Sequence, residues 1–123
     1  MDLLKQRIDR DTVEESYRRA KKAQMRNTYG SHRYSDLAFT HAQNRDPLIL
    51  KALEKASNVM QQIWEEQLGE YSRQSSTQFS HTKKPVEVQM WQEAYRLADE
   101  GQAIRNFCWI YYAAYELAYG KIA

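Results

Sequence analysis

The sequence predicts an all-α fold: a compact bundle of three to five helices in one domain over residues 1–123. Three observations lead there. The chain has only 4 Gly and 2 Pro, too few to punctuate the many short strands of a sandwich or barrel. Apolar residues recur at alternating steps of four and three over two long stretches, which is helical spacing. A length of 123 residues with 42% apolar and 28% charged residues suits one cored unit, not two and not a disordered chain.

Residues 3–10 form a short lead-in, with Leu3, Leu4 and Ile8 among charges. Thr12, Val13, Glu14 and Glu15 fit a capping box, with Asp11 as a competing N-cap, and predict a helix over 12–28. Acid in its first turn and base towards its end suit the helix dipole. Its apolar face is thin (Val13, Tyr17, Ala20, Met25), so the helix should be largely exposed, and Gly30 marks a stop. Residues 31–46 hold a short helix capped by Ser35 or Asp36, with Leu37, Ala38, His41 and Ala42 on one side.

Asp46 before Pro47 is a strong start signal. From there Ile49, Leu53, Ala56, Met60, Ile63 and Gln67, with Ala52 and Val59 widening the stripe, define an amphipathic helix over about 47–71. Residues 72–84 are polar and low in complexity, and read as a connecting loop. Within it Phe79 either pins the loop to the bundle or anchors a partner. Lys83 and Lys84 lie where they could reach a partner. Pro85 opens the last segment. Met90, Ala94, Leu97, Gly101, Ile104, Cys108, Tyr111, Tyr115, Ala118 and Ile122 keep one phase. Glu100-Gly101 could break the segment and start a second helix at 102, but the unbroken phase favours a single helix over about 86–119, continuous or mildly kinked at Gly101. This helix and 47–71 should be the principal antiparallel pair, with the basic helix packed across them.

Two features point to function. The net charge of +2 conceals +4 in residues 1–62 against −2 in the remainder. Between Tyr17 and Tyr34 six cations occur with no carboxylate: Arg18, Arg19, Lys21, Lys22, Arg26 and Arg33. With Tyr29 and Tyr34 they form a candidate macromolecule-binding patch, for a phosphate backbone, an acidic protein surface or solvent alone. At the other end, Phe107 to Tyr119 carries one charge, Glu116, and is aromatic around most of its circumference. Such a helix is buried on more than one side, by its own chain or by another copy. Tyr111, Tyr112, Tyr115 and Tyr119 are the candidate oligomer interface.

The chemistry-bearing residues form no recognisable constellation. His32, His41, His81 and Cys108 lack metal-ligand spacing, and Cys108 falls on an apolar seam where burial makes a thiol inert. Adjacent carboxylates such as Glu65 and Glu66 diverge by about 100° on a helix and do not converge on a substrate. No Gly-rich phosphate loop occurs. The expectation is a cytoplasmic chain with no secretory leader, membrane span, metal or cofactor, and no enzymatic activity. It should be a regulator or inhibitor that docks onto a protein partner, as a homodimer or higher homo-oligomer. The alternative is a nucleic-acid-binding accessory protein using patch 18–34.

Overall fold

The computed structural model describes residues 8–26, 29–74, 84–102 and 107–120, without side chains for 24–26, 29–32 and 70–74. Five helices lie among them: α1 (Arg10–Arg26), α2 (Tyr29–Gln43), α3 (Pro47–Gln74), α4 (Val86–Asp99) and α5 (Cys108–Tyr119). The all-α bundle expected from the sequence is the fold found.

α1 starts two residues before the expected capping box. Asp9 is the N-cap: its carboxylate accepts from the Thr12 amide at 3.0 Å and the Thr12 hydroxyl at 2.8 Å. Of the thin face read from the sequence, Val13 and Ala20 are buried and Tyr17 half-buried. Ser16 joins them as a buried residue the reading did not include, and the Met25 side chain lies outside the described residues. α2 begins before Ser35, so Gly30 lies inside a helix rather than stopping one. Its inner face carries Ser35, Ala38 and Ala42, while Leu37, expected on the same side, turns to solvent.

α2 stops at a Schellman motif without glycine. The Asp46 amide donates to the His41 carbonyl at 2.9 Å and the Arg45 amide to Ala42 at 3.1 Å. Arg45 takes the left-handed conformation, φ 62°. Asp46 then caps α3, accepting from the Leu48 amide at 2.9 Å. The α3 stripe from Ile49 to Ile63 is buried as read, and the helix runs past residue 71 into the first residues of the expected loop. Phe79, His81 and Lys83 lie outside the described residues.

The single helix over 86–119 is not formed. α4 ends at Asp99, where the Gln102 amide bonds to the Leu97 carbonyl and the Gly101 amide to Ala98, with Gly101 at φ 80°. This is a second Schellman motif. The apolar phase survives across Gly101, but the left-handed glycine ends the helix. α4 lies antiparallel to α3: Gln92 bonds Gln61, Tyr95 bonds Glu54, and Arg45, just before α3, bonds the end of α4.

α5 is the central helix, packed on α1, α2 and α3. Trp109, Ile110, Tyr111, Ala113, Ala114, Leu117 and Ala118 are all buried. Ala113, Ala114 and Ala118 are wholly buried small residues between its neighbours, and aromatic rings fill the wider gaps. Trp109 meets Trp91 of α4 edge to face, with centroids 6.0 Å apart, and Tyr17 of α1 at 5.3 Å.

Candidate macromolecule-binding site

Helical spacing puts Arg10, Glu14, Tyr17, Arg18 and Lys21 along one side of α1. With α3 and α4 this side encloses a groove of about 360 Å³. Met60, Ile63 and Trp64 of α3 and Val88 of α4 line its depth. Arg10, Glu14, Arg18 and Glu87 line its rim. Met60, Ile63 and Val88 are buried, and Trp64 is half-buried.

The rim charges are unequally engaged. Arg10 holds both Glu66 oxygens, at 2.5 and 2.6 Å, and donates to Glu14 at 2.9 Å. Glu14 is shared with Arg18 at 3.4 Å. Glu87 sits in the first turn of α4, where the helix dipole favours an anion, and accepts from the Tyr17 hydroxyl at 3.4 Å. Burial, reinforced by Glu87, raises the Tyr17 pKa and keeps that hydroxyl a donor. Arg18 has 74% of its side-chain surface exposed and, among the described residues, only the long contact to an already shared carboxylate.

The structure divides the basic patch. Arg18, Lys22 and Arg33 are exposed, the first two one turn apart on α1 and the third on α2. Arg19 turns inward: its guanidinium grips the buried Glu116 carboxylate, with Nε at 2.7 Å, and reaches Glu15 at 2.6 Å. Lys21 lies over the Trp109 ring, 4.9 Å from its centroid. Tyr34 packs on Tyr112 and Tyr115. Arg26 and Tyr29 stand at the end of α1 and the start of α2, their side chains outside the described residues. The run of six cations is therefore a mixed surface in space, because Glu14, Glu15 and Glu116 are folded into it.

The proposed interface tyrosines also separate. Tyr111 is wholly buried in the chain's own core, so it has no surface to offer a second copy. Its hydroxyl has no partner among the described residues, and burial pushes its pKa up to about 12. Tyr112, Tyr115 and Tyr119 are half-buried in an aromatic ladder with Tyr34 and His41. The Tyr119 hydroxyl donates to Asp46, which also meets His41 Nδ1 at 3.0 Å. This cluster ties the end of α5 to the α2–α3 corner.

Lys84, read as a cation within reach of a partner, instead spans Gln61 and Gln92, at 3.2 and 3.5 Å. Among the described residues, no three His, Cys, Asp or Glu side chains gather as a metal site would require. Nor is any described helix long and apolar enough to cross a membrane. The groove itself escaped the sequence reading. Its one sequence signal is Trp64, a large aromatic on the margin of the α3 stripe beside Ile63. The lone acid in an aromatic helix was the signal for the Arg19–Glu116 pair. No family model, curated protein or solved structure matches this chain.

Proposed function

We propose that this chain is a non-catalytic cytoplasmic binding protein, a regulator or inhibitor that docks onto a partner protein through the outer face of α1 and works as a homo-oligomer. The observation that carries this reading is the presentation of Arg18 and Lys22. Both are exposed on a helix whose opposite side is held to α5 by the Arg19–Glu116 pair and by the Ser16 hydroxyl donating to the Ala113 carbonyl. Because the helix that carries them is already ordered, docking costs the rotamer freedom of these side chains but no further backbone entropy. The carboxylates paired with cations along α1 leave separate positive points rather than a continuous basic stripe, which favours the discrete charges of a protein over a phosphate backbone.

The test is affinity capture from lysate with and without nuclease, alongside an Arg18→Glu, Lys22→Glu variant. The expected result is a stoichiometric protein that survives nuclease and is lost with the charge reversal. Recovery of nucleic acid alone, with salt-sensitive binding, would replace this reading with the nucleic-acid alternative. Light scattering on a sizing column addresses the assembly separately. A dimer or larger form is expected, dispersed or unfolded by Tyr115→Glu, and a strictly monomeric wild type at high concentration would remove the homo-oligomer from the proposal.

A further inference from the structure

We infer that the groove between α1, α3 and α4 receives an acidic amphipathic helix of the partner, one apolar side chain seated against Trp64 and one carboxylate paired with Arg18. The inference rests on the docking reading above and names the chemistry of the occupant.

Volume and lining come first. A space of about 360 Å³ holds one or two large side chains, and its depth is formed by Met60, Ile63, Trp64 and Val88. An apolar group entering it is covered on the side facing Met60, Ile63, Trp64 and Val88, and the partner's own helix covers the rest, as around the anchor of an interface. Charge then selects the neighbours of that group. Both rim carboxylates are engaged within the chain, Glu14 by two arginines and Glu87 by Tyr17 and its helix terminus. Arg10 is engaged too, by Glu66 and Glu14. The rim charge with capacity left is Arg18, and Lys22 continues the positive edge one turn further along α1. A partner carboxylate there completes the Arg18 fork, which holds Glu14 only at 3.4 Å, while a partner cation would be repelled by the exposed Arg18 and Lys22. The groove is bounded by α1, α3 and α4, a setting in which a further helix lays down apolar anchors at steps of three and four.

Trp64 reports the event. Trp91 and Trp109 are buried, so acrylamide quenching of the intact chain senses chiefly the half-exposed Trp64, and Trp64→Phe identifies its share. The probes are a peptide of about 14 residues with Leu at helical spacing and Glu between, the same peptide with Gln for Glu, polyglutamate, and oligothymidylate. The Leu/Glu peptide should bind and shield Trp64, and its affinity should fall about tenfold or more with the Gln peptide or with Arg18→Gln. Arg18 is mostly exposed, so its replacement leaves the fold intact, as circular dichroism can verify. Polyglutamate binding without any probe shielding Trp64 overturns the groove while leaving the acidic-partner reading standing. Stronger shielding by oligothymidylate than by the peptide overturns the groove assignment in favour of nucleic acid. Binding of none of the acidic probes overturns both.

Discussion

Arg19 on α1 closes on the carboxylate of Glu116, the one charged residue of the aromatic helix α5, whose side chain is only 2% exposed. One carboxylate oxygen takes the guanidinium and the other has no partner among the described residues. Removing one member strands the other, which is more damaging than never having had either. Arg19→Ala should therefore destabilise by about 2–4 kcal/mol in urea unfolding, discounted because Arg19 is partly solvated. Arg19→Met with Glu116→Leu should return to within about 1 kcal/mol of wild type. A double-mutant cycle showing additive losses would mean the pair is not coupled.

Tyr111 makes the molecule sensitive to alkali. Burial raises its pKa from 10.0 to about 12, so the folded chain holds that proton more tightly than the unfolded chain does. Its contribution is fully present below about pH 10 and declines between pH 10 and 12, a loss of about 2–3 kcal/mol when complete. Tyr111→Phe removes a buried hydroxyl with no partner among the described residues. At pH 7 it should be as stable as wild type or more so, and it should lose less stability than wild type between pH 9 and 11. Equal alkaline slopes for the two proteins would contradict this assignment.

The two helix stops differ in a way that substitution can read. An added Cβ at Gly101 meets nothing within 4 Å, so Gly101→Ala suffers only the left-handed backbone, about 1–2 kcal/mol. Arg45 already bears that cost, and its guanidinium bonds the Ala98 carbonyl and Asp99 at the end of α4. Arg45→Gly gains backbone ease and loses those bonds, and should lie within about 1 kcal/mol of wild type. Arg45→Ala loses the bonds and keeps the strain, so thermal unfolding should rank it below Arg45→Gly.

Asp46 serves two elements at once, capping α3 through Leu48 and accepting from Tyr119 of α5. Asp46→Ala should cost about 2–3 kcal/mol, the sum of a cap and a side-chain bond. Asp46→Asn keeps the cap and should recover most of that in chemical denaturation. Tyr119→Phe should cost about 1 kcal/mol, and the pairing with Asp46→Asn should be less than additive.

α3 was legible because its cap and its stripe are both local signals, Asp46–Pro47 at the start and Ile49 to Ile63 after it. The break before α5 is marked by Glu100 and Gly101 but is outweighed by the signal that reveals the helices. Apolar phase reports which face is buried, not whether the backbone continues, and it passes through Gly101 undisturbed. The end of α2 was hidden for the opposite reason, since Arg45 does the conformational work usually left to glycine. The basic patch was misread at its edges. A window opening at Tyr17 cuts Glu14 and Glu15 away from Arg18 and Arg19, their partners one helical turn on, and Glu116 lies 97 residues from Arg19. The groove needed three helices brought together, which no single stretch records.

Gly101 also sets how the chain relates to its own copies. Because the apolar phase runs unbroken from α4 into α5, removing the left-handed turn favours one long rod that carries α5 away from α1 and α2. The aromatic circumference of α5 would then be satisfied by the same two helices of another molecule, and theirs by its own. That is reciprocal domain exchange. The left-handed angle at Gly101 thus helps keep α5 within its own bundle, and Gly101→Ala should convert part of the protein to a slowly reversible, concentration-dependent species of twice the wild-type mass.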